Sequence, residues 1–151
     1  MRSSSREVSD RVAERYFEPA DVDTLIPTLT RVMAGVMRAN EEAAAIAGRL
    51  EAERERIGLA GGGVIDRGAW KADMEQVTRL TETVKAGLAE ITRMGGTIKD
   101  LALGLVDFPH RRAGRVVNLC WKYGESAVTH WHGLDEGFAN RKPLDPRGER
   151  P

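Results

Sequence analysis

His130 and His132 stand two residues apart in a stretch whose alternation predicts a β-strand, so both imidazoles should project from one face, about 7 Å apart. Metal sites built on sheets can use that spacing. Cys120, Asp107 or Glu125 could supply a third ligand, since thiolate with imidazole suits zinc and oxygen ligands widen the choice of metal. The metal reading therefore rests on His130, His132 and Cys120, with a transition metal such as zinc as the implied cofactor. The sequence favours a plainer one, in which Trp131 and His132 end a strand and the His132 ring is hydrogen-bonded beneath the C-terminal loop.

Cys120 is the single cysteine, which leaves no intramolecular disulfide. A thiolate beside a histidine is an activated nucleophile, but Cys120 lies in the apolar run VVNLCW, where cysteine commonly acts as a small buried hydrophobe. Strand register decides between the two. If Tyr123 pairs with Ser126 across a two-residue turn, Cys120 opposes Thr129 and points away from both histidines; a slip of one residue brings it to their face. Asp107, Glu125, Asp135 and Glu136 could do acid-base work if two of them flank a cleft. Turn chemistry explains them more simply: Asp107, before Phe108 and Pro109, can cap a strand end, and Glu125, after Gly124, is a turn residue that can pair with Lys122 or Arg141. Residues 110 to 122 hold four basic and no acidic side chains, which reads as a solvated basic loop. A nucleic-acid partner for it is not favoured, because the aromatic residues form no stacking platform.

The elements that must position these residues follow from periodicity. Pro19 suits the first position of a helix, Asp21 puts a carboxylate near its positive end, and Phe17 could staple onto Val22. Pro27 predicts a kink or a restart. From Leu25 the apolar residues step by four and three through Leu29, Val32, Val36, Ala39, Ala43, Ile46 and Leu50, which is a coiled-coil seam. Three consecutive glycines, 61 to 63, mark the tip of a hairpin, and a second seam runs through Trp70, Met74, Val77, Val84, Leu88 and Ile91 until Gly95 and Gly96 stop it. Helices of roughly 50 and 38 Å are too long for one small sheet to cover, so part of the hairpin should stand alone or find a partner. After Gly96 the period becomes two, predicting strands at about 97–101, 105–108, 115–122 and 127–132 with antiparallel neighbours.

Bulk composition narrows the classes. At 151 residues the chain fits one domain, and 23 basic against 23 acidic side chains give no net attraction to a polyanion or an anionic membrane surface. No apolar run approaches a membrane span, and the charged N-terminus does not resemble a secretory signal, so the expected location is the cytoplasm.

Several short motifs add a resemblance. Arg15-Tyr16-Phe17 before a helix containing Leu25-Ile26-Pro27, the Asp107-Phe108-Pro109 triplet, Cys120-Trp121, Gly124-Glu125, Trp131-His132 and Gly137-Phe138 followed by Arg141 together resemble a bacterial family named domain of unknown function 2203, over residues 15 to 144. That resemblance implies a helical hairpin joined to a small sheet and carries no activity with it. The chain departs from the family pattern at His130, where tyrosine is usual, and at Asn140, where glycine is usual.

The expectation is thus an α+β protein: a flexible tail over 1–15, a single domain over 16–142, and a flexible tail over 143–151. Within the domain, a long antiparallel helical hairpin (about 19–94) precedes an antiparallel sheet of about four short strands (about 97–132) and a C-terminal loop (133–142). The leading functional reading is a non-enzymatic binding or protein-interaction module. Its polar site comprises Asp107, Cys120, Glu125, His132 and Arg141, and it forms a homodimer, or binds another helical partner, through the hairpin. The alternatives are a metal-binding, hydrolytic protein centred on His132 and a nucleic-acid-associated protein using the 110–122 loop.

Overall fold

The computed structural model describes residues 15–59 and 66–144. Of the two expected tails, only Arg15, Pro143 and Leu144 fall among these residues, and most of the glycine tip lies outside them. The described residues divide into two compact units, one formed by residues 15–30 and 91–144, the other by residues 31–59 and 66–90.

Helix α1 (Pro19–Leu59) begins with a local lock: the Glu18 backbone N–H donates to Asp21 Oδ2 at 2.9 Å, and Pro19 sits where a missing N–H costs nothing. The expected restart at Pro27 does not occur, and α1 runs unbroken to Leu59. A proline inside a helix costs about 3 kcal/mol, and burial of Val22, Ile26, Leu29 and Val32 on both sides of it outweighs that cost. Helix α2 (Arg67–Met94) starts at Asp66, whose Oδ1 accepts from Ala69 N–H at 3.1 Å. It ends in a Schellman pair, Gly96 N–H to Ile91 O and Gly95 N–H to Thr92 O, with Gly95 at φ 99°. A Cβ on Gly95 would stand 2.3 Å from the Phe17 ring, so glycine is required there for space as well as conformation.

In the first unit, five strands form an antiparallel sheet in sequence order: β1 (Thr97–Asp100), β2 (Leu105–Arg112), β3 (Arg115–Lys122), β4 (His130–Gly133) and β5 (Lys142–Pro143). Expectation and structure differ in four places, the first being β4, which runs over His130–Gly133 rather than about 127–132. The fifth strand was not expected: Pro143 pairs with His130 and Lys142 with Trp131. β2 does not stop at Phe108 but continues through Pro109 to Arg112. Proline is tolerated because the Pro109 carbonyl points away from β3, accepting from Phe17 N–H at 2.7 Å, so its nitrogen lies on the side that owes β3 no bond. Finally, the start of the expected basic loop, residues 110–112, belongs to β2, which a two-residue turn, Ala113 and Gly114 at φ 51° and 76°, joins to β3, the strand expected over 115–122. One face of the sheet buries Val106, Phe108, Leu119 and Trp121. Phe108 meets Phe17 edge-on at 5.1 Å, and His110 Nδ1 lies 2.7 Å from the Phe17 carbonyl.

In the second unit the two helices run antiparallel, as Arg31 with Glu90 at one end and Arg49 with Asp73 farther along demonstrate. Gly87 lets the helices close, because a Cβ there would stand 2.2 Å from Val36. Met33, Val36 and Ala39 are buried, whereas Trp70 and Met74 are 49% and 40% exposed beside an open groove of about 450 Å³ lined by Ala47, Leu50 and Ile57. No helix among the described residues is long and apolar enough to cross a membrane.

Candidate functional site

Strand pairing settles which side chains share a face. Cys120 pairs with Asp107 on one side and His130 on the other, and Asn118 pairs with His132. This is the register one residue away from the Tyr123–Ser126 pairing, and it sets Cys120 on the face of both histidines. Asp107, expected to cap a strand end, is in the middle of β2 because that strand extends past Pro109. The segment after β4 folds back over this face, so Leu134, Glu136, Gly137 and Phe138 close a pocket of about 110 Å³ with Lys99, Leu105, Asp107, Asn118, Cys120 and His132.

Three of these residues gather tightly. One ligand atom from each of Asp107, Cys120 and His132 lies within 4.8 Å of the others, and all three residues are buried, at 2%, 1% and 4% exposure. His132 Nδ1 is 2.8 Å from the Gly133 carbonyl, which can only accept, so Nδ1 carries the proton. In a neutral ring the lone pair is then on Nε2, which stands 3.0 Å from Asp107 Oδ2. By strict hydrogen-bond geometry neither Asp107 oxygen has a well-aligned partner among the described residues, although the His132 ring nitrogen is within ion-pairing distance and the Cys120 thiol interacts with the carboxylate. Burial raises the Asp107 carboxyl above its ordinary range, against the opposing pull of His132 and Lys99. Burial, reinforced by the Asp107 charge, pushes the Cys120 thiol up to about 11 against the pull of Arg141. A thiol so placed is not a nucleophile at neutral pH.

A second polar group adjoins the first and is complete. Arg141 reaches both oxygens of Glu125, at 3.2 and 3.4 Å, and Glu125 Oε1 also accepts from Lys122 N–H at 2.7 Å. The Trp121 indole N–H donates to the Glu125 carbonyl at 2.9 Å. His130, expected as a metal ligand, is apart from the Asp107 cluster: its Nδ1 meets Thr129 Oγ1 at 2.8 Å, and burial, followed by the nearby Arg141 charge, lowers its pKa. Of the residues expected as metal ligands, Cys120 and His132 are brought together, with Asp107 beside them, and His130 is not. The reason is that β2 brings Asp107 next to Cys120, while the His130 ring turns to its neighbour.

The arginines of the expected loop are also engaged. Arg111 stacks on Tyr16 at 4.6 Å, and Arg112 on Trp131 at 4.9 Å, with Lys142 on the same Trp131 ring at 4.7 Å. Lys99 and Asn118 carried no signal in the sequence, since only the register brings them to the pocket. Glu136 stood among the candidate carboxylates; its Oε1 accepts from Gly133 N–H at 3.2 Å and pairs with Lys142 at 2.8 Å, and the Lys142 bond lowers its pKa. Asn140 lies in a 3-10 turn (Phe138–Asn140), and Ala113 is the non-glycine residue with positive φ among the described residues, so asparagine there is not answering a left-handed backbone.

The chain belongs to the family described as Uncharacterized conserved protein (DUF2203), which matches residues 15–144. No curated protein and no solved structure matches it.

Proposed function

We propose that this member of the family is a non-enzymatic binding module whose ligand is a small cation taken up at Asp107. One observation carries the reading: a carboxylate with 2% exposure, lining a pocket, with neither oxygen in a well-aligned hydrogen bond among the described residues and only the His132 imidazole and the Cys120 thiol close beside it. Burial that raises the Asp107 pKa makes its ionised form costly, and a bound cation would favour that form, so this carboxyl suits a positive partner. Size supports a cation over a metabolite. About 110 Å³ holds roughly four waters at about 30 Å³ each, whereas pockets for larger organic ligands run to about 300 Å³ or more. The inert Cys120 thiol supports binding over nucleophilic chemistry.

The test is thermal unfolding of the chelator-treated chain against magnesium, calcium, zinc, methylammonium and guanidinium. At 100-fold excess over Kd a specific cation contributes about 2.7 kcal/mol, a rise of roughly 5–10 °C, and Asp107→Asn should abolish it. If no cation in the set shifts the transition, or if the shift survives Asp107→Asn, the reading is wrong.

Self-association of the hairpin is a second reading, supported by the open groove between the helices and the exposure of Trp70 and Met74 on the heptad seam. Light scattering at micromolar concentration should show a dimer that the double substitution Trp70→Lys, Met74→Lys dissociates. A 16.6 kDa species alone in the unsubstituted chain removes it.

A further inference from the structure

We propose that Asp107, Cys120 and His132 form a site for one divalent transition-metal ion of the zinc class, held by a carboxylate oxygen, the Cys120 sulfur and His132 Nε2. The inference rests on the cation-binding reading above and names its ligand. The donor set selects the class. Sulfur and imidazole nitrogen disfavour magnesium and calcium, which take oxygen ligands, and suit zinc and its neighbours.

Charge points the same way. Once binding has displaced the Cys120 proton, one carboxylate, one thiolate and one neutral imidazole sum to −2, which a divalent ion neutralises. A proton bridging Nε2 and Oδ2 would answer their 3.0 Å approach, with the Cys120 thiol interacting with the same carboxylate; the cobalt titration below separates that arrangement from a metal site.

Geometry agrees within small side-chain movements. Around a tetrahedral ion with bonds of about 2.0–2.3 Å, ligand atoms stand roughly 3.3–3.8 Å apart. The three atoms here lie within 4.8 Å of one another, so the Nε2–Oδ2 pair must open by a few tenths of an ångström and the sulfur must close by about 1 Å or less. The His132 ring is already held as a metal-bound imidazole commonly is, its other nitrogen donating to a backbone carbonyl, that of Gly133. On binding, the Cys120 thiol proton passes to solvent and the sulfur binds as thiolate. With three protein ligands, a fourth position is left to the pocket.

Cobalt(II) reports the site directly. Titrated into the full chain, purified without a histidine tag and stripped with chelator, it should bind one equivalent with a thiolate-to-cobalt charge-transfer band that zinc displaces. Cys120→Ser should abolish the band. Asp107→Asn and His132→Gln should each weaken binding by more than about 100-fold, beyond the usual loss for an outer-shell partner, while His130→Gln should leave it unchanged. Circular dichroism identifies any variant that has failed to fold, and the titration of the unsubstituted chain needs no variant at all. A band that survives Cys120→Ser, or cobalt bound with no such band, overturns the ligand set. Failure of cobalt, zinc and iron(II) to bind the folded chain overturns the site. In that case, stabilisation by magnesium or an organic cation in the thermal assay leaves the broader cation reading standing, and absence of both ends both.

Discussion

Glu125 and Asp107 are acidic residues in neighbouring parts of the same site, and they keep opposite company. Glu125 is met by two guanidinium N–H groups from Arg141 and one backbone N–H from Lys122, and it retains about a quarter of its exposure to water. Asp107 is more deeply buried, close to one imidazole and one thiol, and in no well-aligned hydrogen bond among the described residues. A buried polar group is stabilised either by partners supplied within the fold or by one supplied from outside. Glu125 therefore reads as a strut that fastens the C-terminal segment to the sheet, and Asp107 as a position held open.

Removing a partner from each side tests that contrast. The largest effect is expected for His132→Ala in chelator-treated protein, which removes the imidazole 3.0 Å from Asp107 and the packing of a buried ring, and should cost about 2–5 kcal/mol by urea unfolding. A loss under about 1 kcal/mol would mean that the two groups are not coupled. Next comes the thiol beside Asp107. A pKa pushed up to about 11 leaves roughly two orders of magnitude less thiolate at neutral pH than an ordinary cysteine has, before shielding is counted. Alkylation of Cys120 in the native chain should be slower by at least that factor and should accelerate as pH rises towards 11. A rate near that of a free thiol would place Cys120 in a reactive environment after all. The smallest effects form a pair with opposite signs. Glu125→Gln should cost about 0.5–1 kcal/mol, as expected for a partly exposed ion pair, whereas metal-free Asp107→Asn should cost nothing or stabilise by about 1 kcal/mol. If Asp107→Asn is the more damaging of the two, the distinction between a finished and an unfinished carboxylate collapses.

The two units also differ in how much of them could be read in advance. In α1 and α2 the four-three spacing of apolar residues, Pro19 at the start and Gly95-Gly96 at the end are local signals, and the helices follow them closely. In the sheet, alternation indicated that strands exist but not how far they run or how they pair. A two-residue strand containing a proline, such as Lys142–Pro143, has no periodicity to detect.

The site illustrates the same division at the level of single atoms. Sequence by itself determined the residue types that could do chemistry, the hairpin-plus-sheet class and the placement of Cys120 in an apolar strand, because helix period, strand alternation and residue polarity act over a few neighbouring positions. Only tertiary structure decided that Asp107 would join Cys120 and His132 and that His130 would not. That outcome depends on one residue of strand register and on Phe17, remote in sequence, whose backbone N–H occupies the Pro109 carbonyl and lets β2 run on past its proline. Pairings between distant segments cost chain entropy and are stabilised by the whole packed face, so no local pattern specifies them.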